Sequence, residues 1–426
     1  MLHAASVLFR GSTLPDAREF AALPGVEVTV FPGKQPDALW SLRLRHPKWG
    51  EATLMALDDL PPPPPEFVEI ASALSQGERE VVESGTQPLA LTTEGRFSSV
   101  LRDRKAMLYF GRAVMGDRGV GVVDHLSQIV WSREKLDDEL AHDADLDVSQ
   151  IFSVHAVMDG DEEEESEVVS WLHTHGLAQI GGFDFDILAP SAEMVDSGAD
   201  DIIRCLAYAV LEGAVKPDSE KIELVYEAPM RFVEVGEFHR LAAEEYTSLR
   251  EHDEEHNSNR SVICEPLKKR IGGLGGLKRP RPSRFFQRES YEGIVLCFSD
   301  TATGLMEQRA RATVGVLRGL MEEFAELQFP VLAKLGLATR NDSREHAWFA
   351  VSRLTDDAIE GTCENDLHDV EGVERGQQGR WPLEILSDWM MLTPAGSIQP
   401  HRLSAARVVR EHYDEIREIL ESQEEE

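Results

Sequence analysis

Residues 170–186 read SWLHTHGLAQIGGFDFD. His173 and His175 lie one residue apart, and Asp186 follows eleven positions after the second imidazole. Two neutral imidazoles and a carboxylate are ordinary zinc ligands, and three protein donors with one open position are the set that catalytic zinc uses. For that chemistry the three side chains must meet at one point. In a strand, positions i and i+2 share a face, so VVSWLHTH would aim both histidines the same way. GGFDFDIL alternates apolar and polar residues, which predicts a second strand carrying Asp184 and Asp186 on one face. A hairpin between the two would set one of these carboxylates across from the histidines. The reading favoured from the residues is that the imidazoles are hydrogen-bonded by neighbouring protein groups, with no cofactor. Zinc at His173, His175 and Asp186 is the alternative.

The spacing of these residues resembles that of JAMM-type zinc isopeptidases, whose pattern runs His-Ser/Thr-His-Pro and then Ser-x-x-Asp after an upstream glutamate. That resemblance implies a metallohydrolase, and two positions depart from it: Gly176 stands at the proline and Phe183 at the serine. An upstream general base would have to be Glu134, Glu139 or another residue, none with a supporting context. No catalytic residue is therefore assigned. His252 and His256 in REHDEEH repeat the letters of a metalloprotease helix. They sit among Arg250, Glu251, Asp253, Glu254, Glu255 and Asn257, which makes them a solvated face rather than a buried metal helix. GGLGGL neither follows a strand nor opens a helix, so it is no dinucleotide loop. The sequence holds no GxSxG, P-loop or Rossmann fingerprint.

Composition narrows the function classes. The chain has 426 residues, with 43 Lys and Arg against 77 Asp and Glu, a net charge of −34. Such an excess repels phosphate backbones and disfavours nucleic acid, while it would steer a basic protein partner. Cys205, Cys264, Cys297 and Cys363 form no CxxC pair and fit reduced, mostly buried thiols. The N-terminus lacks a basic n-region and reads as a strand, and no stretch reaches the roughly 20 apolar residues of a membrane helix. These features point to a cytoplasmic protein.

The elements that must position the candidate ligands alternate strand and helix, an α+β pattern of mixed or antiparallel sheets with covering helices. Residues 1–94 form a first α+β unit, with a polyproline connector at Pro61–Pro65 that no helix or strand interior could contain. Residues 95–235 form a second, in which IFSVHAVM and VVSWLHTH read as adjacent strands joined by the acidic loop DGDEEEESE. Residues 236–285 comprise a polar helix and a basic Gly/Pro linker, the linker expected to be mobile and to dock on the protein's own acidic face or stay solvated. Residues 286–426 open with a buried-type strand, YEGIVLCFS, and a long amphipathic helix, then build a small curled antiparallel sheet rich in tryptophan.

Within this last region, Glu345, His346 and Trp348, then Gly361 and Asn365, then Asp388 and Trp389, resemble the bacterial domain-of-unknown-function family 2314. The WLHTHGL stretch is similar to family 4026, which precedes it in one chain. Where the family pattern is rich in Asn-Pro, this chain has Asn-Asp-Leu-His. The resemblance implies a bacterial, cytoplasmic, two-module protein and no reaction. His346, Trp348, Asn365, Asp388 and Trp389 are the candidate binding residues of the terminal sheet. The function expected from all this is a non-enzymatic, immunity-like or accessory factor that binds a protein, with the zinc metallohydrolase as the alternative.

Overall fold

A computed structural model describes the chain except residues 31–36, 71–72, 160–167, 197–199, 243–258, 268–278, 292–293, 342 and 425–426. The acidic loop, REHDEEH and GGLGGL fall in or largely within those gaps and lie outside the described residues. The fold is α+β, with three sheets among the described residues. Contacts divide it into two compact units, Met1–Val130 with Val148–Ser299, and Trp131–Asp147 with Asp300–Glu426. The expected divisions at 94 and 235 fall inside the first unit, because strands on both sides of residue 94 pair in one sheet.

The first sheet comprises β1 (Leu2–Arg10), β2 (Glu27–Val30), β3 (Ala38–His46), β4 (Gly50–Leu57), β5 (Thr86–Glu94), β6 (Gly119–Asp124) and β7 (Ile129–Ser132), in the order β2-β3-β4-β5-β1-β6-β7. Helix α1 (Val100–Met115) lies on it, started by the Ser99 side chain, which accepts the Arg102 N–H. The approach is close: a Cβ on Gly111 would come within 3.0 Å of the Val122 side chain. Val7, Leu89, Leu91 and Val122 form a dry core there, into which a buried Arg104–Asp124 ion pair is set.

The second sheet of the same unit has the order β11-β12-β10-β9-β8, from β8 (Ser153–Asp159), β9 (Val168–His175), β10 (Asp184–Leu188), β11 (Arg231–Glu234) and β12 (Arg260–Cys264). Only β10 and β12 run parallel. Their connection passes through α2 (Asp200–Leu211), β11 and α3 (Val235–Leu241), as parallel strands require a long crossover. Phe238 of α3 packs with Trp171, Leu188, Val233, Val262 and Cys264. The segment expected to be a mobile linker is anchored at both ends. β12 is wholly buried, and beyond the gap Ser283 N–H donates to the Ile263 carbonyl at 3.1 Å and Ser191 N–H to that of Phe286 at 2.8 Å. The described residues of YEGIVLCFS form no strand of a sheet. They make one isolated bridge, Val225 with Leu296, and Val295 and Cys297 are exposed, so an apolar run here buys no sheet.

The second unit carries a six-stranded antiparallel sheet in the order β16-β15-β14-β13-β17-β18. Its strands are β13 (Val331–Ala338), β14 (Arg344–Leu354), β15 (Ala358–Cys363), β16 (Gln378–Pro382), β17 (Leu386–Thr393) and β18 (Gly396–Ile398). The long helix α4 (Asp300–Glu323) presents Leu317 and Leu320 to Phe349, Trp389 and Met391. Arg309, also of α4, is buried in an ion pair with Glu139 and donates to the carbonyls of Pro400 at 2.8 Å and Asp145 at 3.0 Å. Among the described residues no helix is long and apolar enough to cross a membrane.

Candidate metal centre

β9 is the hinge of the site because it pairs on both sides. Its His173 stands opposite His155 of β8 and opposite Asp186 of β10. Directly paired residues of antiparallel strands point to the same face, so Asp186, His173 and His155 form one transverse row. The next row, Leu188, Trp171 and Val157, is apolar and packs on Phe238 of α3. His175 shares the face of His173 two residues on, beside the row's outer end.

The three imidazoles converge. The ligating nitrogens of His155, His173 and His175 all lie within 4.8 Å of one another. Ring centroids are 4.5 Å apart for His155 and His175, 4.7 Å for His173 and His175, and 5.5 Å for His155 and His173. The Trp171 ring lies against His173 at 4.2 Å, and Ser153 Oγ is 3.1 Å from His155 Nε2. His173 and His175 are buried and His155 half-buried, so the cluster opens at the β8 edge.

Asp186, though in register with His173, lies outside the group of three converging imidazoles. Its carboxylate takes the Arg260 Nε–H at 2.7 Å, with both side chains fully buried. Burial pushes the Asp186 carboxyl up, to about 7, against the pull of the Arg260 guanidinium and the Trp171 indole. Asp184 serves the turn instead: its Oδ1 accepts from Thr174 Oγ1 and from the Leu177 N–H, each at 3.1 Å.

Both departures from the isopeptidase pattern have a physical reason. Gly176 has φ of +122°, closed to proline, and a Cβ there would come within 2.8 Å of the Ile151 carbonyl oxygen. Phe183, at the serine position, is a core side chain set edge-on to Phe232 at 4.9 Å. The imidazole missed from the sequence is His155. Its signal was present in the expectation that IFSVHAVM and VVSWLHTH are neighbours, but the register that aligns His155 with His173 is a property of the strand pairing, which neither stretch specifies alone.

The residues singled out in the terminal sheet separate by face. Trp348 and Asp388 flank Lys334 in register, with the Lys334 ammonium 5.4 Å from the Trp348 ring centre. His346 lies on the same face, its Nδ1 2.9 Å from Ser387 Oγ. Trp389 points the other way, fully buried, and donates its indole N–H to Thr313 Oγ1 at 3.1 Å. Asn365 Oδ1 accepts the Trp348 N–H at 2.6 Å and ties the chain after β15 to β14. The Asp388 carboxylate accepts the Trp389 N–H at 2.9 Å.

Residues 154–264 match the family model described as protein of unknown function (DUF4026) C-terminal, and residues 321–408 match that described as uncharacterized protein conserved in bacteria (DUF2314). Neither the curated proteins nor the solved structures yield a match. The three histidines and Asp186 all fall in the first region and the Trp348–Lys334–Asp388 row in the second, and the two matches are to the families that WLHTHGL and EHAWFAVSRL resemble, in the expected order.

Proposed function

We propose that the protein acts by binding rather than turnover, and that His155, His173 and His175 hold a divalent transition metal of the zinc class. The observation that carries this is the convergence of three imidazole donors within 4.8 Å on one face of the sheet. Tetrahedral zinc with bonds near 2.0–2.1 Å sets its ligand nitrogens about 3.3 Å apart, a contraction within reach of modest side-chain rotations. Imidazole donors suit zinc, copper and nickel, and the half-buried His155 side leaves room for a fourth ligand. Two features support binding without hydrolysis. The carboxylate in register with His173 is held by Arg260, and the serine position of the isopeptidase pattern is a core phenylalanine.

Metal titration tests the reading. Full-length protein stripped with chelator should take up one equivalent of zinc by calorimetry and metal analysis. His155→Ala and His175→Ala should each weaken that uptake at least tenfold, while Asp186→Asn keeps it, provided circular dichroism shows each variant folded. Uptake indifferent to His155→Ala defeats the three-histidine centre. Uptake lost in Asp186→Asn instead would reinstate the His173–His175–Asp186 set.

The charge of −34 favours a second, compatible reading, an accessory or immunity-like factor whose acidic surface meets a basic protein. Association with such a partner should slow steeply as salt is added. A rate independent of ionic strength would remove this reading and leave the metal centre untouched.

A further inference from the structure

The opposite edge of the sheet that carries the histidines holds a cavity of about 490 Å³ lined by Arg231, Arg279, Arg281 and Arg284, with Glu265 among them and Pro266 and Leu267 as an apolar wall. Four arginines and one glutamate line it in a chain whose net charge is −34, so the local balance reverses that of the molecule.

Hydrogen bonds to the Glu265 residue hold Arg231, Arg281 and Arg284 in place. Arg231 is paired in register with Cys264, and its Nε–H donates to the Glu265 carbonyl at 3.0 Å. Glu265 N–H donates to the Arg281 carbonyl at 2.9 Å, while Arg284 N–H donates to Glu265 Oε1 at 2.7 Å. The one carboxylate is thus engaged by a main-chain amide. Among the described residues, none of the four guanidiniums makes an ion pair. Like charges gathered on a rigid frame repel, and an anion among them relieves that cost.

We infer that this cavity binds a small phosphorylated organic molecule, its phosphate held by the arginines and its organic part lying on Pro266 and Leu267. Guanidinium forks match phosphate oxygens two at a time, which a lysine ammonium cannot do. The volume falls in the usual range of small-molecule sites, roughly 300–1,000 Å³. Leu267 is 47% exposed, an apolar surface that a ring or chain beside the phosphate would cover. The overall negative field repels a long polyanion but is overcome locally for a compact one.

Calorimetric titration of the full chain at low salt with ADP and with inorganic phosphate tests this. ADP should bind at one site, more tightly than phosphate. An Arg281→Gln/Arg284→Gln double substitution, made at two exposed side chains, should weaken both by at least tenfold, and His155→Ala should change neither, which separates this site from the metal centre. Failure of ADP and phosphate to bind at millimolar concentration, or binding untouched by the double substitution, overturns the inference. Equal affinity for the two overturns the role of Pro266 and Leu267. A short single-stranded oligonucleotide that binds more tightly than ADP through the same arginines would overturn the ligand class.

Discussion

Two transverse rows of side chains, built by the same strand geometry, have opposite characters. In the DUF4026-like sheet the row Asp186–His173–His155 is buried along most of its length, and in the DUF2314-like sheet the row Trp348–Lys334–Asp388 is half-exposed. Burial raises the stakes for polar groups, since each must find a partner or lose its hydration. The first row meets that demand with a buried guanidinium for Asp186 and with imidazoles gathered closely enough for an ion to join them. The second row needs no such device, because Lys334 and Asp388 are only half-buried, and the apolar burden of that sheet falls on Trp389 behind it. A polar residue on a strand thus indicates a site only once the neighbouring strands are known to enclose it.

The strongest way to break the comparison is to remove the guanidinium. Arg260→Leu should cost about 3–5 kcal/mol by urea denaturation, because it leaves the buried Asp186 carboxyl without its partner, whether as a stranded charge or forced to take up a proton. Replacing both partners, Arg260→Leu with Asp186→Leu, should recover most of that loss. A double variant as unstable as the single one would show that the pair is not what the row depends on. In the exposed row the matching change is small. Trp348→Ala should cost about 0.5–1 kcal/mol through the lost cation–π contact with Lys334, and should leave zinc uptake at the histidines as it was. A loss as large as that of Arg260→Leu would erase the distinction between the rows.

The smallest effect concerns pH. Burial first, and then the Lys334 ammonium, hold the His346 imidazole below its ordinary pKa, with Glu307 pulling the other way. The folded state therefore prefers the neutral ring, and the unfolded state takes up the proton first as pH falls. The stabilisation is complete above the ordinary histidine value of about 6.5 and is lost as pH drops through it toward the lower folded value. Denaturation midpoints measured on either side of that value should fall less on acidification in His346→Gln than in the natural sequence. An equal fall in both would exclude His346 as the source.

Much of the architecture was legible along the chain. AASVLF, SLRLRHP, EATLMAL, HAWFAVSRL and DWMMLTP all became strands, SLRLRHP through its alternation of apolar and polar residues and HAWFAVSRL through aromatic and β-branched residues that suit a half-buried pleat. Ser132 was readable as a helix start, and its Oγ accepts the Lys135 N–H at 3.2 Å. The apolar run YEGIVLCFS misled, since local propensity makes no strand where no partner strand runs alongside. The basic segment after Cys264 was visible as composition, but its convergence with Arg231 into one cavity was not, because Arg231 lies on a different strand and joins it only by pairing.

By itself the sequence determined the α+β class, the order of the two family regions and the shared face of His173 and His175, all of which follow from residue type and from spacing along one strand. Tertiary structure decided that the third imidazole is His155 and that Asp186 belongs to Arg260. The reason is that register between strands is set by long-range hydrogen bonding and core packing, which place residues 18 positions apart at 155 and 173 face to face and leave residues 13 apart at 173 and 186 paired but separately committed.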